Sequence, residues 1–360
     1  MPNPLPIAVG GTIAIDEVKT PEDHASNLLG GSAAYAALAA SYFTDPVHLV
    51  GIVGADYPEP HLEMLARHGI TLDGVERSPG ASFSWSGEYH DNMNQRTTHR
   101  VAVNVLEEWK VKLPPAAASV PLVVLANMSP DNQLEMLEQM DCGTRNAERG
   151  TEELEHGVSG VGEPRATDSA LNHPDAPPQD LISALRAPCS AFVIADTMDL
   201  WIGIAKERLC EVMKRVNLFV LNDSEASELA GTPNLLEAGD RLLAMGPEHL
   251  VIKLGEYGAM LFSASANGDS APELFRCAAV PLRRVVDPTG AGDSFLGALA
   301  GYLAGLGNLD FSFENLRQAV VRGSVLASFT CEDFSTRKLE NLDSTTIEAR
   351  LEAFRRLTAW

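Results

Sequence analysis

Residues 283–307 read RRVVDPTGAGDSFLGALAGYLAGLG, and this stretch joins a glycine-containing loop to a helical pattern. Pro288 and Gly290 disfavour regular structure. The apolar residues after them recur at spacings of three and four, as on one face of a helix: Phe295, Leu299, Tyr302, Leu303 and Leu306. The stretch therefore predicts a loop that opens a helix near Gly292.

The start of this helix is a predicted anion site. The first N–H groups of a helix have no intrahelical acceptor and lie at the positive end of its dipole. Gly290, Ala291 and Gly292 are small enough for an anion to approach that backbone closely. Asp293 adds a carboxylate that would repel a resting phosphate but could accept the proton of a hydroxyl group attacking one. The alternative is that Asp293 caps the helix and the glycines only turn the chain.

The composition limits the class of protein. The chain has 360 residues, of which 45% are hydrophobic and 21% charged, and this suits one large or two unequal globular domains. No segment reaches the roughly 18 apolar residues of a membrane span. The formal net charge of −22 disfavours nucleic acid and anionic membranes as partners, because both would repel the chain. The negative net charge does not exclude a small phosphorylated ligand, since local hydrogen-bond donors would hold it.

The cysteines and the first residues bear on the compartment. Five cysteines lie far apart in the sequence, and both their spacing and their odd number argue against a disulfide framework or a structural zinc site: Cys142, Cys189, Cys210, Cys277 and Cys331. The start, MPNPLPIAVGG, has neither a basic leader nor a long apolar core. We therefore expect free thiols and a cytoplasmic protein.

Strand and helix patterns alternate along most of the chain. Short apolar runs such as VHLVGIVGADY, VPLVVLANM, AFVIADTM and LFVLNDSE are separated by helical stretches such as NQLEMLEQM and KERLCEVMKRV. Repeated strand–helix units predict an α/β fold of three layers, with a mostly parallel sheet between helices. We assign residues 1–79 and 113–360 to this domain, and we place Asp16 at or near the end of the first strand.

Residues 80–112 interrupt the alternation with a β-hairpin. Phe83, Trp85 and Tyr89 share one face of ASFSWSGEYH, and RTTHRVAVNV is the predicted return strand. A hairpin inserted into an α/β chain is expected to stand off the main sheet as a small β lid. Its edge would also be open to pairing, so a homodimer joined through the lid is a further expectation.

Residues 141–180 differ from the rest of the chain. They are acidic, rich in Gly and Pro, and nearly free of large apolar side chains. This composition predicts a loosely packed or disordered surface insertion within the α/β domain, or else a segment that contacts a partner chain.

Four motifs occur together in a fixed order: GGSAAYAALAA at 30–40, NDSE at 222–225, KLGEYG at 253–258 and DPTGAGDSF at 287–295. The set resembles the ribokinase family of carbohydrate kinases, also called PfkB-type kinases, over nearly the whole chain apart from residues 141–180. The resemblance implies a ribokinase-like α/β/α fold with a small β lid over the sugar. It also implies ATP as the phosphoryl donor and magnesium as its counter-ion.

The resemblance also implies roles for the C-terminal motifs. Asp293 corresponds to the catalytic base, and the N–H groups of Gly290, Ala291 and Gly292 correspond to the anion hole. Such an arrangement suffices for in-line phosphoryl transfer without a covalent intermediate. Asp287 corresponds to the position where family members that need potassium hold that ion.

Further positions would hold the nucleotide and magnesium. Asn222 and Glu225 match the N-x-x-E motif that holds magnesium through water, although an Asn followed by Glu also caps helices. Lys253 would bind phosphate, or would simply end a strand at the surface. The implied nucleotide-binding residues are Asn222, Lys253, Gly255, Gly258 and Thr289.

The implied acceptor site combines the first motif with the lid: Asp16, Gly30, Gly31, Ser32, Tyr35, Trp85 and Arg96. Ser32 and Tyr35 replace the lysine and asparagine of ribokinases themselves, so free ribose is not the expected acceptor. Trp85 would stack on a sugar or base, or pack within the lid. Arg96 and Arg100 would clamp a phosphate or an acidic acceptor, or would lie free on the strand.

The sequence thus predicts an ATP-dependent kinase that phosphorylates a hydroxyl group of a small sugar or sugar-like molecule. A nucleoside kinase of the same fold is the first alternative, and it is favoured by the lid aromatics and by the absence of lysine at Ser32. A non-catalytic sugar-binding regulator is the second alternative, because a fold does not guarantee activity.

Overall fold

A computed structural model describes residues 3–93, 95–140, 191–264 and 272–359. The predicted acidic insertion at 141–180 lies outside these residues, as do Cys142 and Cys189. The remaining cysteines, Cys210, Cys277 and Cys331, are free thiols. Among the described helices, none has both the length and the apolar character needed to cross a membrane.

Thirteen strands are found in the described ranges: β1 (Ile7–Gly10), β2 (Ala14–Lys19), β3 (His24–Gly30), β4 (Val47–Val53), β5 (Ile70–Arg77), β6 (Phe83–Tyr89), β7 (Arg96–Ala102), β8 (Leu122–Leu125), β9 (Phe192–Asp196), β10 (Leu218–Asn222), β11 (His249–Lys253), β12 (Ala259–Ser263) and β13 (Glu273–Cys277).

Eleven α-helices accompany them in the same ranges: α1 (Ser32–Ala40), α2 (Glu59–Arg67), α3 (Pro115–Ala118), α4 (Pro130–Gln139), α5 (Asp199–Ile204), α6 (Lys206–Met213), α7 (Asp223–Ala230), α8 (Leu235–Leu243), α9 (Ala291–Gly305), α10 (Phe313–Thr330) and α11 (Ser344–Thr358). Short 3₁₀ turns lie at Asn104–Leu106, Gly255–Tyr257 and Leu339–Asn341.

The main sheet has nine strands in the order β13-β12-β11-β10-β9-β8-β1-β4-β5. All neighbouring strands from β5 to β11 pair in parallel. At the other end of the sheet, β12 pairs antiparallel with both of its neighbours, β11 and β13. The chain first builds outward from β1 to β4 and β5, then returns to the other side of β1 with β8. Such a reversal opens a crevice at the carboxyl ends of β1 and β8, where ligands bind in open α/β sheets.

Helices cover both faces of this sheet, as the sequence predicts. Successive residues of β10 alternate between two apolar cores: Leu218 and Val220 face one, and Phe219 and Leu221 face the other. The first core holds α1, α9, α10 and α11, and the second holds α4, α6 and α8. Strands buried on both faces explain why their sequences are almost wholly apolar.

Helices α1 and α9 pack unusually closely, and this fixes the start of α9 against the start of α1. A methyl group added at Gly297 would lie 2.0 Å from the Ala36 carbonyl oxygen, and one at Gly301 would lie 2.6 Å from that of Ala40. The alanines of α1 and the glycines of α9 therefore allow backbone to meet backbone. The first turns of both helices reach the same end of the sheet.

A second sheet stands off the first, with the strand order β3-β2-β6-β7. The predicted hairpin is present as the antiparallel pair β6 and β7, and β2 joins it in parallel with Ala14 opposite Phe83. The lid sheet therefore also includes residues 14–30, which the sequence analysis assigned to the main domain. Conversely, Trp109 and Val111, within the predicted 80–112 lid, are buried in a core of the main domain.

Candidate active site

Asp16 lies beside the glycine pair that precedes α1. It is inside β2 rather than at a strand end, because β2 continues to Lys19 in the lid sheet. A methyl group at Gly30 would overlap the Asp16 carboxyl group at 2.1 Å. Gly31 has φ 91°, and a methyl group there would lie 2.4 Å from the Thr12 carbonyl oxygen. Both glycines are needed for this close approach.

Ser32 and Tyr35, predicted to contact the acceptor, are both buried. The Ser32 N–H donates to Thr12 Oγ1 at 3.0 Å, and Ser32 Oγ donates to the Asn127 carbonyl oxygen at 2.9 Å. Ser32 therefore joins the start of α1 to the end of β8. The Tyr35 ring packs on the turn before α9, since a methyl group at Gly290 would lie 2.3 Å from it.

The turn before α9 begins the helix at Ala291, with Gly290 in the left-handed conformation at φ 77°. The Ala291 N–H donates to the Pro288 carbonyl oxygen at 3.2 Å, so it is engaged within the turn. The N–H groups of Gly292 and Asp293 belong to the first turn, which has no intrahelical acceptors for them. We therefore expect these two amides, rather than that of Ala291, to face an anion.

The Asp293 carboxyl group is an acid in a low-dielectric setting. Burial raises its pKa to about 6, the charge of Asp196 adds to the shift, and Lys253 and Arg96 oppose it. Asp16 is shifted further: burial, Asp287 and Asp293 raise its pKa to about 8 against the opposing charge of Arg96. The charges of Asp287 and Asp293 thus disfavour ionisation of Asp16, and the charge of Asp196 disfavours ionisation of Asp293.

Lys253 stands next to the anion site. Its ammonium group is 3.0 Å from Asp196 Oδ2 and 3.2 Å from a methyl position at Gly292. Burial acts to lower the pKa of Lys253, but the charges of Asp196, Glu225 and Asp293 outweigh it and raise the value. Lys253 thus ends β11, as the surface alternative has it, but its side chain is only 17% exposed and is ion-paired.

Asp196 was not predicted from the sequence as a site residue. It ends β9, its side chain is buried, and its Oδ1 accepts from the Thr197 N–H at 2.8 Å. The signal was present in FVIADTM, because an acid that ends a buried parallel strand lies at the ligand-binding edge of the sheet.

Asn222 and Glu225 form a capping box at the start of α7. Asn222 Oδ1 accepts from the Glu225 N–H, and Glu225 Oε2 accepts from the Asn222 N–H, each at 2.8 Å. Burial raises the pKa of Glu225 to about 7, against the opposing charge of Lys253. The capping alternative is thus realised, and each side chain still has an oxygen lone pair for a hydrated ion.

Asp287 joins two loops. Its Oδ1 accepts from the Thr289 N–H at 2.9 Å, and its Oδ2 accepts from the Ser335 N–H at 3.2 Å. The side chain is fully buried, and burial raises its pKa while these hydrogen bonds oppose the shift. A carboxylate held this way keeps further lone pairs for a cation.

Lid residues close over this region. Tyr89 packs with Val18, Leu28 and Phe334, and its hydroxyl oxygen accepts from Thr289 Oγ1 at 3.2 Å. The Arg96 guanidinium lies 5.6 Å from the centroid of the Trp85 ring. Arg96 and Arg100 are both exposed on β7. The charge of Arg96 acts to lower the pKa of Asp16 and of Asp293.

A cleft of about 1160 Å³ runs from the lid to α9 and α10. Its wall includes Asn222, Lys253, Gly255, Gly258 and Gly292 together with the apolar segment 279–282. Polar groups at one end and apolar groups at the other fit a nucleotide, whose phosphates and base need these two environments.

Direct metal ligation is not a feature of the described residues, since none of their His, Cys, Asp and Glu side chains group in threes that could hold an ion. Magnesium usually keeps several waters and binds mainly through phosphate oxygens. The Asn222–Glu225 pair fits an ion held through water.

Comparison with known proteins shows that the chain is similar to kinases. Residues 179–342 match the family model described as pfkB family carbohydrate kinase. The cytidine kinase of Thermococcus kodakarensis is 22% identical over 302 residues, which span 84% of this chain and 90% of that protein.

Solved structures show the same fold. Ribokinase from Giardia lamblia superposes with a TM-score of 0.70 at 15% sequence identity, covering 98% of this chain and 100% of that one. The nucleoside kinase of Methanocaldococcus jannaschii, described as an archaeal member of the ribokinase family, gives a TM-score of 0.66 at 16% identity, covering 98% and 100%.

Proposed function

We propose that the chain is a ribokinase-family kinase of the PfkB type, and that it transfers a phosphoryl group from ATP directly to a hydroxyl group of a small sugar or sugar-like acceptor. Asp293 is the base. The backbone N–H groups of Gly292 and Asp293 are the anion hole, in place of the expected Gly290–Gly292 set, because the Ala291 N–H donates within the turn. The observation that carries this proposal is Asp293 itself, a carboxyl group in the first turn of α9 beside the amides of that turn and Lys253.

Different residues of this chain have different roles in the proposed reaction. With its pKa raised to about 6, Asp293 is ionised at neutral pH and can accept the proton of the attacking hydroxyl group. As that O–H bond breaks, an O–P bond forms to the acceptor and the bond to the departing ADP oxygen breaks. The amides of Gly292 and Asp293 and the Lys253 ammonium stabilise the charge on the transferred group.

The cleft supplies the donor site. Lys253 would pair with phosphate, and Gly255, Gly258 and Thr289 would border the nucleotide. Magnesium neutralises phosphate charge when bound, and Asn222 and Glu225 would hold it through water. Asp287 would hold a potassium ion, which the nearby Asp333 charge also favours.

A nucleoside is the second candidate acceptor. Its support is the relative named cytidine kinase, matched over most of both chains, together with the Trp85 ring on the lid near Arg96. An aromatic face can stack on a base as well as on a sugar. The acceptor site would otherwise use the same base and the same anion hole.

The test is ATP consumption by the purified protein with magnesium and potassium, against hexoses, pentoses, sugar acids, sugar phosphates and nucleosides. Asp293→Asn keeps the size of the side chain and removes the base, so we expect turnover to fall at least about a hundredfold with the thermal midpoint preserved. Turnover retained in this variant would remove Asp293 from its proposed role.

We also propose a homodimer joined through the lid. Strand β7 is an edge of the second sheet, its residues 96–101 are exposed, and Val101 is 53% exposed. Edge strands of this kind pair readily with a second copy. Light scattering that gives a monomer mass at working concentration would exclude the dimer.

A further inference from the structure

Asp196 is a buried acid that pairs with a residue of the cleft wall. It ends β9 and is 3% exposed. Among the described residues, Lys253 and Gly292 line the cleft and Asp196 does not. A nucleotide in the cleft would therefore meet the lysine rather than the acid, so Asp196 would act on the reaction through Lys253.

The backbone of Asp196 is held by Gln133 on α4. Gln133 is 1% exposed, and its Nε2 donates to the Asp196 carbonyl oxygen at 2.9 Å. The same Nε2 lies 3.3 Å from the carbonyl oxygens of Leu125 and Ala126. One buried amide group thus joins the ends of β8 and β9 and fixes the position of Asp196.

The Asp196 side chain uses both of its oxygen atoms. Oδ1 accepts from the Thr197 N–H at 2.8 Å, and Oδ2 accepts from the Lys253 ammonium group at 3.0 Å. A carboxylate can accept at both positions, whereas an asparagine would turn its NH₂ group toward one of the two donors. This pair of contacts therefore requires an acid rather than an amide of the same size.

The ion pair fixes Lys253 beside the start of α9. Lys253 Nζ lies 3.2 Å from a methyl position at Gly292, whose N–H belongs to the first turn of that helix. A lysine side chain is long and flexible, and an ion-pair partner restricts where its ammonium group can lie. A cation that is already in position stabilises a developing charge without a cost of reorganisation.

We propose that Asp196 is a positioning residue, which holds the Lys253 ammonium group beside the Gly292 amide so that it stabilises the transition state of phosphoryl transfer. The inference rests on the proposed kinase function and adds to it a residue that contacts no substrate. The charge of Asp196 also opposes the approach of the ATP phosphates, because like charges repel. Asp196 therefore weakens ground-state binding of ATP while it favours the transition state, and such a difference raises kcat.

The test measures kcat and the KM of ATP for Asp196→Asn, with magnesium and an acceptor of the panel that the wild-type protein phosphorylates. We expect kcat to fall at least about tenfold, because Lys253 is no longer held in place. The KM of ATP should stay the same or fall, whereas loss of the cation itself in Lys253→Gln should raise this KM. Calorimetric binding of a non-hydrolysable ATP analogue with magnesium should follow the KM.

Three further variants separate position from charge. Asp196→Glu keeps the charge and displaces the carboxylate by one methylene group, so kcat should fall here as well. Asp196→Asn added to Lys253→Gln should lower kcat no further, because the lysine through which Asp196 acts is gone. Asp199→Asn is the matched control: Asp199 is exposed in α5 and accepts from the Leu200 N–H, so both kcat and KM should stay unchanged.

The pH–rate profile is a readout that a purely structural role would not move. Burial and the charge of Asp196 raise the pKa of Asp293, and the charges of Lys253 and Arg96 oppose the shift. Asp196→Asn should therefore move the acid limb of kcat/KM to lower pH, whereas Lys253→Gln should move it to higher pH. Asp196→Glu should leave the limb where it is in the wild type.

Three results would overturn the inference and leave the proposed function intact: an unchanged kcat in Asp196→Asn, a raised KM of ATP with unchanged kcat, or a further loss of kcat in the double variant. If thermal unfolding shows that Asp196→Asn does not fold, Asp196→Glu decides instead, and an unchanged kcat in that variant would overturn the inference. A wild-type protein that phosphorylates no compound of the panel would remove the proposed function, and this inference with it.

Discussion

The Lys253 ammonium lies 3.0 Å from the Asp196 carboxylate, and the pair joins the carboxyl ends of β11 and β9 across β10. The charges of Glu225 and Asp293 act on the same lysine. The positive charge of Lys253 thus interacts with three carboxyl groups. This excess of negative charge suits a donor that brings magnesium with it, because the ion compensates the acids as well as the phosphates.

Lys253→Gln should reduce both stability and nucleotide binding. Loss of the cation leaves Asp196 and its acidic neighbours without compensation, so we expect the free energy of unfolding to fall by about 3 kcal/mol. The KM of ATP should rise at least about tenfold, because a phosphate partner is lost. Denaturant unfolding and steady-state kinetics measure these effects. Lys253→Arg keeps the charge and should lose less of both, and unchanged values for Lys253→Gln would contradict the proposed role.

Activity should depend on pH through Asp293. Its pKa is raised to about 6 and its basic form is the active one, so kcat/KM should fall about tenfold per pH unit below about pH 6. Lys253 stabilises the ionised form, so Lys253→Gln should move this acid limb to higher pH. A pH–rate profile of both proteins measures the shift. A wild-type profile that is flat from about pH 5 to about pH 8 would contradict Asp293 as the base.

The local parts of the site could be predicted from the sequence. The turn before α9, the anion-binding first turn and the capping box at Asn222 each depend on residues within a few positions of one another. Sequence spacing fixes such geometry, because helix starts follow local rules. The alternation of strands and helices likewise predicts the parallel sheet.

The remaining parts depend on contacts between distant residues. Strand β2 pairs with β6, more than sixty positions away, and no period-2 pattern says which sheet a strand will join. Asp196 could be found only by the rule that parallel strands end at the ligand edge.

Stability should fall as pH rises, because of Asp16. Its folded pKa, raised to about 8, lies above the unfolded value, so the folded state binds the proton more tightly. The stabilising contribution is therefore full below about pH 4 and is lost as pH rises through about pH 8. Asp16→Asn should remove this loss and stabilise the ligand-free protein at about pH 8 by about 2 kcal/mol, while weakening acceptor binding. Thermal unfolding at several pH values measures the slope, and equal slopes for the two proteins would contradict the prediction.

Gly290 should tolerate no side chain, and Gly203 provides the contrast. Gly290 has φ 77°, and a methyl group there would lie 2.3 Å from the Tyr35 ring, so Gly290→Ala must both strain the backbone and displace Tyr35. We expect a loss of about 2 kcal/mol or more in the free energy of unfolding. Activity should fall further than stability alone explains, because the same turn presents the Gly292 and Asp293 amides.

Gly203 lies in α5 with nothing within 4 Å of a methyl position, so Gly203→Ala should stabilise the protein by about 0.5–1 kcal/mol through helix propensity. Denaturant unfolding and turnover of both variants decide the matter: if the two substitutions behave alike, the contact between Tyr35 and the Gly290 turn does not hold the anion site in place.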